Sequence, residues 1–326
     1  MNSISRRPVL AALAAALCLP AIAQKTYPNR RISIYVPFPA GGPADVAARV
    51  LQPPFQKTIG ETVIVENFGG GGGSIGVNKL LAAPADGHTL LLATVAEPIL
   101  PPLTMKGIRY APAQLHLVSA LSYTNIALVA RPGLGLDSLE AFMRRVKDGS
   151  QPALTYGTPG TGTLFHLMGE HFKQLSGARL LHVPYKGFAP AINDLMGGQV
   201  DVAFLPLAGN ALQLIESGKV VALAVSAPPK ERSDHPRLAD LPGLSSFVYT
   251  VWTGIFVAAG TPPAVEGRVR EAVDAALQGP DFAKYTREVG GVPYQRAMDA
   301  GQASAFYASE MKRLEKIFKE VGLEVD

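Results

Sequence analysis

Short apolar or β-branched runs alternate along this chain with glycine-rich turns and amphipathic stretches, beginning at residue 32. Residues 32–36 (ISIYV) read as a strand, residues 37–43 as a turn and residues 44–58 as a helix. The unit then repeats. Residues 63–66 lead through the glycine-rich segment 68–74 into a helical pattern at 75–82, and residues 89–93 follow the Asp86-Gly87 turn. Strand, helix and strand in this order predict parallel strands with right-handed crossovers, which places ligands outside the carboxyl ends of the strands.

The pattern restarts after the apolar run 126–130. Residues 153–156 feed the turn 157–162 and a helix at 163–175; strands are expected at 179–183, 200–204 and 221–226, with a short helix at 190–196. Two apolar segments, 125–130 and 251–258, read as passages between lobes. Lobe 1 is then residues 24–124 with 251–326, and lobe 2 is residues 125–250. The stretch 262–322 predicts helices broken around Gly279-Pro280 and residues 290–293, packed back on lobe 1. The expected fold class is α/β: two lobes, two crossover strands and a cleft between. A paired hinge of this kind lets lobes rotate as rigid bodies.

Length agrees with this division, because 326 residues exceed what one core usually organises. With 48% hydrophobic and 17% charged residues the chain has an ordinary globular balance. Its N-terminus reads as an export signal over residues 1–23: Arg6 and Arg7, an apolar core at 9–19, and the small-x-small site Ala21-Ile22-Ala23, with cleavage before Gln24. Arg6 and Arg7 also fit a twin-arginine signal, so the export route stays open. Leu17 before Cys18 disfavours a lipoprotein site. Cleavage removes the sole cysteine and lowers the formal charge from +4 to +2, leaving 28 basic residues against 26 acidic. The basic residues are scattered without interleaved aromatics, which argues against nucleic-acid binding. The expected product is a periplasmic monomer.

Two turns have matching settings. In the first, Phe38, Ala40, Gly41, Gly42 and Asp45 lie between a strand and a helix, where adjacent glycines let backbone N–H groups converge beside a helix N-terminus. That suits an anion, and equally suits a tight connection with Asp45 as an early-helix acid. The second, at residues 157–166, adds the hydroxyls of Thr158, Thr161 and Thr163 around Gly160 and Gly162. Thr161 or Thr163 can cap the helix, and His166 falls in its first turn, where a structural hydrogen bond is the ordinary role.

The run of glycines at 69–73 is less specific. Gly71, Gly73 and Gly76 match a dinucleotide pattern, with Glu97 as the ribose acid, and residues 72–76 match a nucleophile elbow around Ser74, for which Asp201 and His235 are the nominal partners. Consecutive glycines satisfy almost any glycine-spaced pattern, so a cleft-edge loop is the better reading; an exported nucleotide-binding enzyme or serine hydrolase is the alternative. His166 and His171 are poorly spaced to share a helix face, and no metal or cofactor is inferred.

From residue 27 to residue 318 the chain resembles the Bug family, the periplasmic receptors of tripartite tricarboxylate transporters. The resemblance rests on Tyr27-Pro28-Asn29-Arg30, residues 36–45, Val65-Glu66-Asn67 with its glycine loop, and Pro84-Ala85-Asp86-Gly87-His88-Thr89. Residues 157–166, His182-Val183-Pro184-Tyr185-Lys186-Gly187, Gly197-Gly198-Gln199-Val200-Asp201 and Gly260-Thr261-Pro262-Pro263 complete it. It implies a type II periplasmic-binding-protein fold, no catalysis, a small carboxylate ligand and membrane transporter subunits as partners; a signalling co-receptor is a further possibility. Carried over, the ligand-binding set is Phe38, Ala40, Gly41, Gly42, Asp45, Thr158, Gly160, Thr161, Gly162, Thr163, His166 and Asp201. Two departures bear on the ligand. Glu97-Pro98 stands where the family often has Asn-Pro, and the apolar residues 204–207 stand where it often has polar ones, favouring a hydrophobic or aromatic ligand part.

Overall fold

The protein is described from a computed structural model, which covers residues 27–323 apart from Pro229, Lys230 and Arg232. The inferred export signal and its cleavage site lie outside the described residues.

In chain order the elements begin with β1 (Ile32–Val36), α1 (Pro43–Ile59), β2 (Val63–Asn67), α2 (Ser74–Ala82), β3 (Thr89–Thr94), α3 (Ala96–Ile99) and α4 (Pro101–Thr104). They continue with β4 (Leu115–Ala130), α5 (Leu139–Lys147), β5 (Leu154–Thr158), α6 (Leu164–Ser176), β6 (Leu180–Pro184), α7 (Phe188–Met196), β7 (Val202–Pro206), α8 (Gly209–Glu216) and β8 (Val221–Ser226). The last are β9 (Thr250–Ala258), α9 (Pro263–Gln278), α10 (Pro280–Glu288), β10 (Val292–Pro293) and α11 (Ala300–Val321).

Two sheets share one long strand. Residues 115–125 of β4 pair antiparallel with β9, giving the first sheet the order β2-β1-β3-β9-β4, with β10 on the outer edge of β4. From Ile126 onward β4 pairs with β7 and β8, giving the second sheet the order β6-β5-β7-β4-β8. The two orders are the same once the strands are matched in sequence. β1, β2 and β3 are mutually parallel, as are β5, β6 and β7, so each lobe collects strand ends on one side.

Alternation explains the local choice of structure. Ile32, Ile34 and Val36 are fully buried while Ser33 and Tyr35 are not, the period-two signature of a strand covered on one face by helices. That face packs with Ala48, Leu51 and Phe55 of α1 and Val269, Ala272 and Val273 of α9. A second core runs without a break from Leu91 and Leu117 of the first sheet through Trp252 and Phe256 to Phe172 and Phe204 beside the second.

Helix α11 departs from the sequence expectation. It packs on β4, as expected of a segment returning to lobe 1, but also on α6 of lobe 2. Its Glu310 accepts a hydrogen bond from the Trp252 indole at 3.1 Å, Arg313 donates to the Val248 carbonyl at 3.3 Å, and the Glu320 carbonyl accepts from Gln174 at 3.0 Å. The helix therefore spans the crossover instead of belonging to one side.

Candidate functional site

The first turn is built around a buried acid. Gly41 adopts φ +80°, a left-handed conformation that a side chain would strain, and Gly42 caps α1 in an extended conformation ahead of Pro43. The Gly41 N–H donates to Asp45 Oδ2 at 2.8 Å, and Arg49 Nε donates to the same oxygen at 3.1 Å. Arg49 also reaches Asn67 Oδ1 at 3.3 Å, and the Asn67 amide donates to the Phe38 carbonyl at 3.1 Å. Hydrogen bonding from Arg49 is the main reason that the Asp45 carboxyl is held below its usual range. Asp45, 3% exposed, thus fixes the turn from behind and uses the Gly41 N–H to do so. Among the described residues the Ala40 and Gly42 amides donate no hydrogen bond. Phe38 is half-buried against the core under β1.

Behind this turn lies the glycine-rich loop. Residues 70–73 all have positive φ (115°, 57°, 60° and 90°), forming a left-handed turn closed by the Gly73 N–H donating to the Gly70 carbonyl at 3.0 Å. The glycines are needed sterically as well. A Cβ on Gly69 would come 3.0 Å from Pro39, one on Gly76 2.8 Å from Pro37, and one on Gly73 2.2 Å from Glu97 Cγ. The loop is therefore a buttress under the first turn. Ser74 opens α2 and is 4% exposed, Asp201 and His235 belong to the other lobe, and the nominal hydrolase triad is not assembled.

The second turn is held by hydroxyls and imidazoles. Thr163 is the cap of α6: its hydroxyl accepts from the His166 N–H at 3.4 Å and donates to the Gly160 carbonyl at 2.8 Å. His166 Nδ1 accepts the Gly162 N–H at 3.1 Å, so this histidine is a structural hydrogen-bonder. Thr158, 1% exposed, has its hydroxyl 2.7 Å from His182 Nε2. His182 stacks on His166 at 3.8 Å with the rings 11° apart. Burial, then the neighbouring His166, push the His182 pKa down to about 4, so at neutral pH it is an uncharged ring. Thr161 is exposed, and among the described residues nothing claims its hydroxyl or amide.

The second turn touches the first lobe. A Cβ on Gly162, at φ +71°, would lie 2.7 Å from Thr104 Cβ at the end of α4, so the tip of the second turn rests on lobe 1. Phe38, Ala40, Gly41, Gly42 and Asp45 thus follow β1 in the first sheet, and Thr158, Gly160, Thr161, Gly162, Thr163 and His166 end β5 and open α6 in the second. Asp201 does not join them. It precedes β7 at the amino end of the sheet, where Oδ2 accepts from the Thr155 amide at 2.9 Å and hydroxyl at 3.0 Å, and Oδ1 pairs with Arg131 at 3.0 Å. A residue at the start of a parallel strand cannot reach a cleft formed at the strands' carboxyl ends.

The apolar run 204–207 divides: Pro206 and Leu207 are partly exposed, and the first two residues are not a ligand wall. Phe204 and Leu205, each 1% exposed, face opposite cores, Phe204 towards Phe172 and Phe247. Sequence reading missed Thr104, because a contact between lobes leaves no local pattern. It also assigned no role to His182, although its motif was noted.

Two lobes of equal strand order that share one long strand define a periplasmic-binding-protein fold. Residues 47–323 match the model of the tripartite tricarboxylate transporter family receptor, and the chain belongs to that family. It is 34% identical over 310 residues to protein BugT of Bordetella pertussis, covering 92% of each chain. Among solved structures it is similar to the periplasmic binding protein BugD, with 31% identity and a TM-score of 0.76 over 92% of this chain and all of that one. Rpa4515 of R. palustris, solved with adipate, shares 26% identity at a TM-score of 0.78, over 92% of this chain and all of that one. MatC from Rhodopseudomonas palustris, solved with bound malate, shares 28% at 0.74, over 90% and 100%.

Proposed function

We propose that this protein is a periplasmic, non-enzymatic receptor that captures a small carboxylate between its lobes and hands it to the membrane subunits of a tripartite transporter. The observation that supports this reading is that each lobe carries a strand-to-helix turn with unclaimed donors: the Ala40 and Gly42 amides in the first and the Thr161 amide and hydroxyl in the second. Such donors bind an anion without a buried cation, and a ligand that bridges both turns favours the closed form over the open one. Two family relatives support the ligand class, since one was solved with adipate and another with malate.

In this reading residues 125–250 move as lobe 2 against the rest, and the mature chain begins near Gln24 and acts as a monomer. Backbone donors recognise a carboxylate but not the body that carries it, so the ligand is defined here only by class. With Phe204 and Leu205 turned into cores, the wall gives no preference for an aromatic body. Calorimetric titration with a panel of mono- and dicarboxylates, malate and adipate included, is expected to give saturable binding to at least one; binding to none would overturn the assignment. Ester hydrolysis that is lost in Ser74→Ala would overturn the non-enzymatic reading.

A further inference from the structure

One buried acid on the lobe 1 side of the cleft takes no part in holding either turn. Glu97, at the start of α3, is 5% exposed. Its Oε2 accepts both the amide and the hydroxyl of Thr94, each at 2.7 Å. Among the described residues no lysine, arginine or histidine faces it. The titratable group recorded against it is Tyr110, whose hydroxyl donates to the Glu97 backbone carbonyl at 2.6 Å. Burial without a cation pushes the Glu97 pKa up to about 7, against the opposing hydrogen bonds from Thr94.

Its position ties it to the cleft. Glu97 Cγ occupies the space that a side chain on Gly73 would need. Gly73 closes the left-handed turn that begins at Gly70, and the adjoining Gly69 rests on Phe38 and Pro39 of the first turn. On the other side Gly72 lies against Pro101 and Met105, which flank Thr104, the residue that meets Gly162 of lobe 2. The acid therefore sits directly behind the loop that links the first turn to the contact between lobes.

We propose that Glu97 takes up a proton when the cleft captures a carboxylate, so that anion capture is a proton-coupled step. This rests on the carboxylate reading above. An anion brought into a cleft closed to water raises the proton affinity of a nearby carboxyl group, and no cation stands beside Glu97 to offset it. The coupling is reciprocal: the protonated protein binds the anion more tightly. The proton comes from solvent and settles on the Glu97 carboxyl group, and no other bond forms or breaks.

The test is calorimetric titration of malate and adipate at about pH 7, where both are ionised, in two buffers of unlike ionisation enthalpy. The wild-type protein is expected to take up on the order of half a proton per ligand, and affinity is expected to rise as pH falls from about 8.5 to 6.5. Glu97→Gln, which keeps an acceptor for Thr94, is expected to bind with no proton uptake and a flat pH profile. Binding without uptake in the wild type overturns the proposal, as does uptake that persists in Glu97→Gln, which would move the titration to the His166–His182 pair.

If Glu97→Gln fails to fold, Glu97→Asp replaces it: the shorter chain shifts the carboxyl from Thr94, and an unchanged pH window of uptake overturns the proposal. If no carboxylate binds, the proposed function fails separately. Infrared spectra of the unliganded protein then decide, since a protonated-carboxyl band that titrates near neutral pH and vanishes in the variant is expected, and its absence overturns the proposal.

Discussion

The two strand-to-helix turns occupy equivalent places in equivalent sheets, yet they are stiffened by different chemistry. The first is fixed by one carboxylate, Asp45, which draws in the Gly41 amide and the Arg49 guanidinium. The second contains no charged side chain in its turn and is fixed by Thr158, Thr163 and the stacked pair His166 and His182. The difference teaches that one strand-to-helix turn geometry is a property of backbone and helix entry, which many side chains can support from behind. Most of the side chains that make the turns recognisable hold the turns themselves, while backbone amides and one threonine hydroxyl stay unclaimed within the protein.

The comparison breaks most sharply at the point where the second turn meets the first lobe. Gly162→Ala places a Cβ in a left-handed conformation and drives it into Thr104 when the lobes are together. The strain belongs to the turn itself, whereas the collision with Thr104 is expected only when the lobes are in contact. Carboxylate affinity is therefore expected to fall about tenfold or more, since 1.4 kcal/mol already corresponds to that factor. Adding Thr104→Gly should restore a large part of it. Calorimetric dissociation constants of the single and double variants check this, and a double variant no better than Gly162→Ala alone would remove Thr104 from the closure contact.

A smaller effect is expected from loosening the first turn. Asp45→Ala leaves the Gly41 amide and Arg49 without their shared acceptor, which should lower stability by about 1–3 kcal/mol and weaken binding a few-fold, because the turn must then be ordered by the ligand. The pH dependence has a defined sign. The folded Asp45 carboxyl is held below its unfolded value, so its contribution is complete above about pH 4 and is lost as pH falls further, through the folded value. Thermal melts between about pH 2.5 and 7 should show wild type and variant converging at the acid end. A gap that stays constant with pH would mean that the Asp45 charge does not stabilise the turn.

How much of this was legible beforehand follows from which interactions are local. Both turns, their strands and their helices could be read because glycines, caps and apolar periodicity act within a few residues, as with Thr163 capping α6. The parallel pairing of β1 to β3 and of β5 to β7 followed from β-α-β succession, whereas the order of strands across each sheet did not. Contacts made only by folding were not legible: Thr104 against Gly162, Glu97 under Gly73, His182 on His166, and α11 lying across both lobes. Phe204 and Leu205 misled for a related reason, since in a sheet buried on both faces an apolar residue reports burial and not which side it faces.

Asp201 sharpens the same point from the opposite end of lobe 2. Its carboxylate follows a glycine-rich stretch, as Asp45 does, yet it lies at the amino end of β7 and binds Thr155 and Arg131. Burial, the largest single influence, would raise its pKa, but the Thr155 and Arg131 hydrogen bonds together hold it below the usual range. Asp201→Ala should therefore lower thermal stability, by about 1–3 kcal/mol, through the unpaired Thr155 amide and Arg131. It should leave the carboxylate dissociation constant within about twofold, because a partly exposed charge far from the cleft is screened. A tenfold loss of affinity, measured under conditions where the variant is folded, would mean that the two ends of the sheet are coupled and that the cleft reaches further into lobe 2 than its turns.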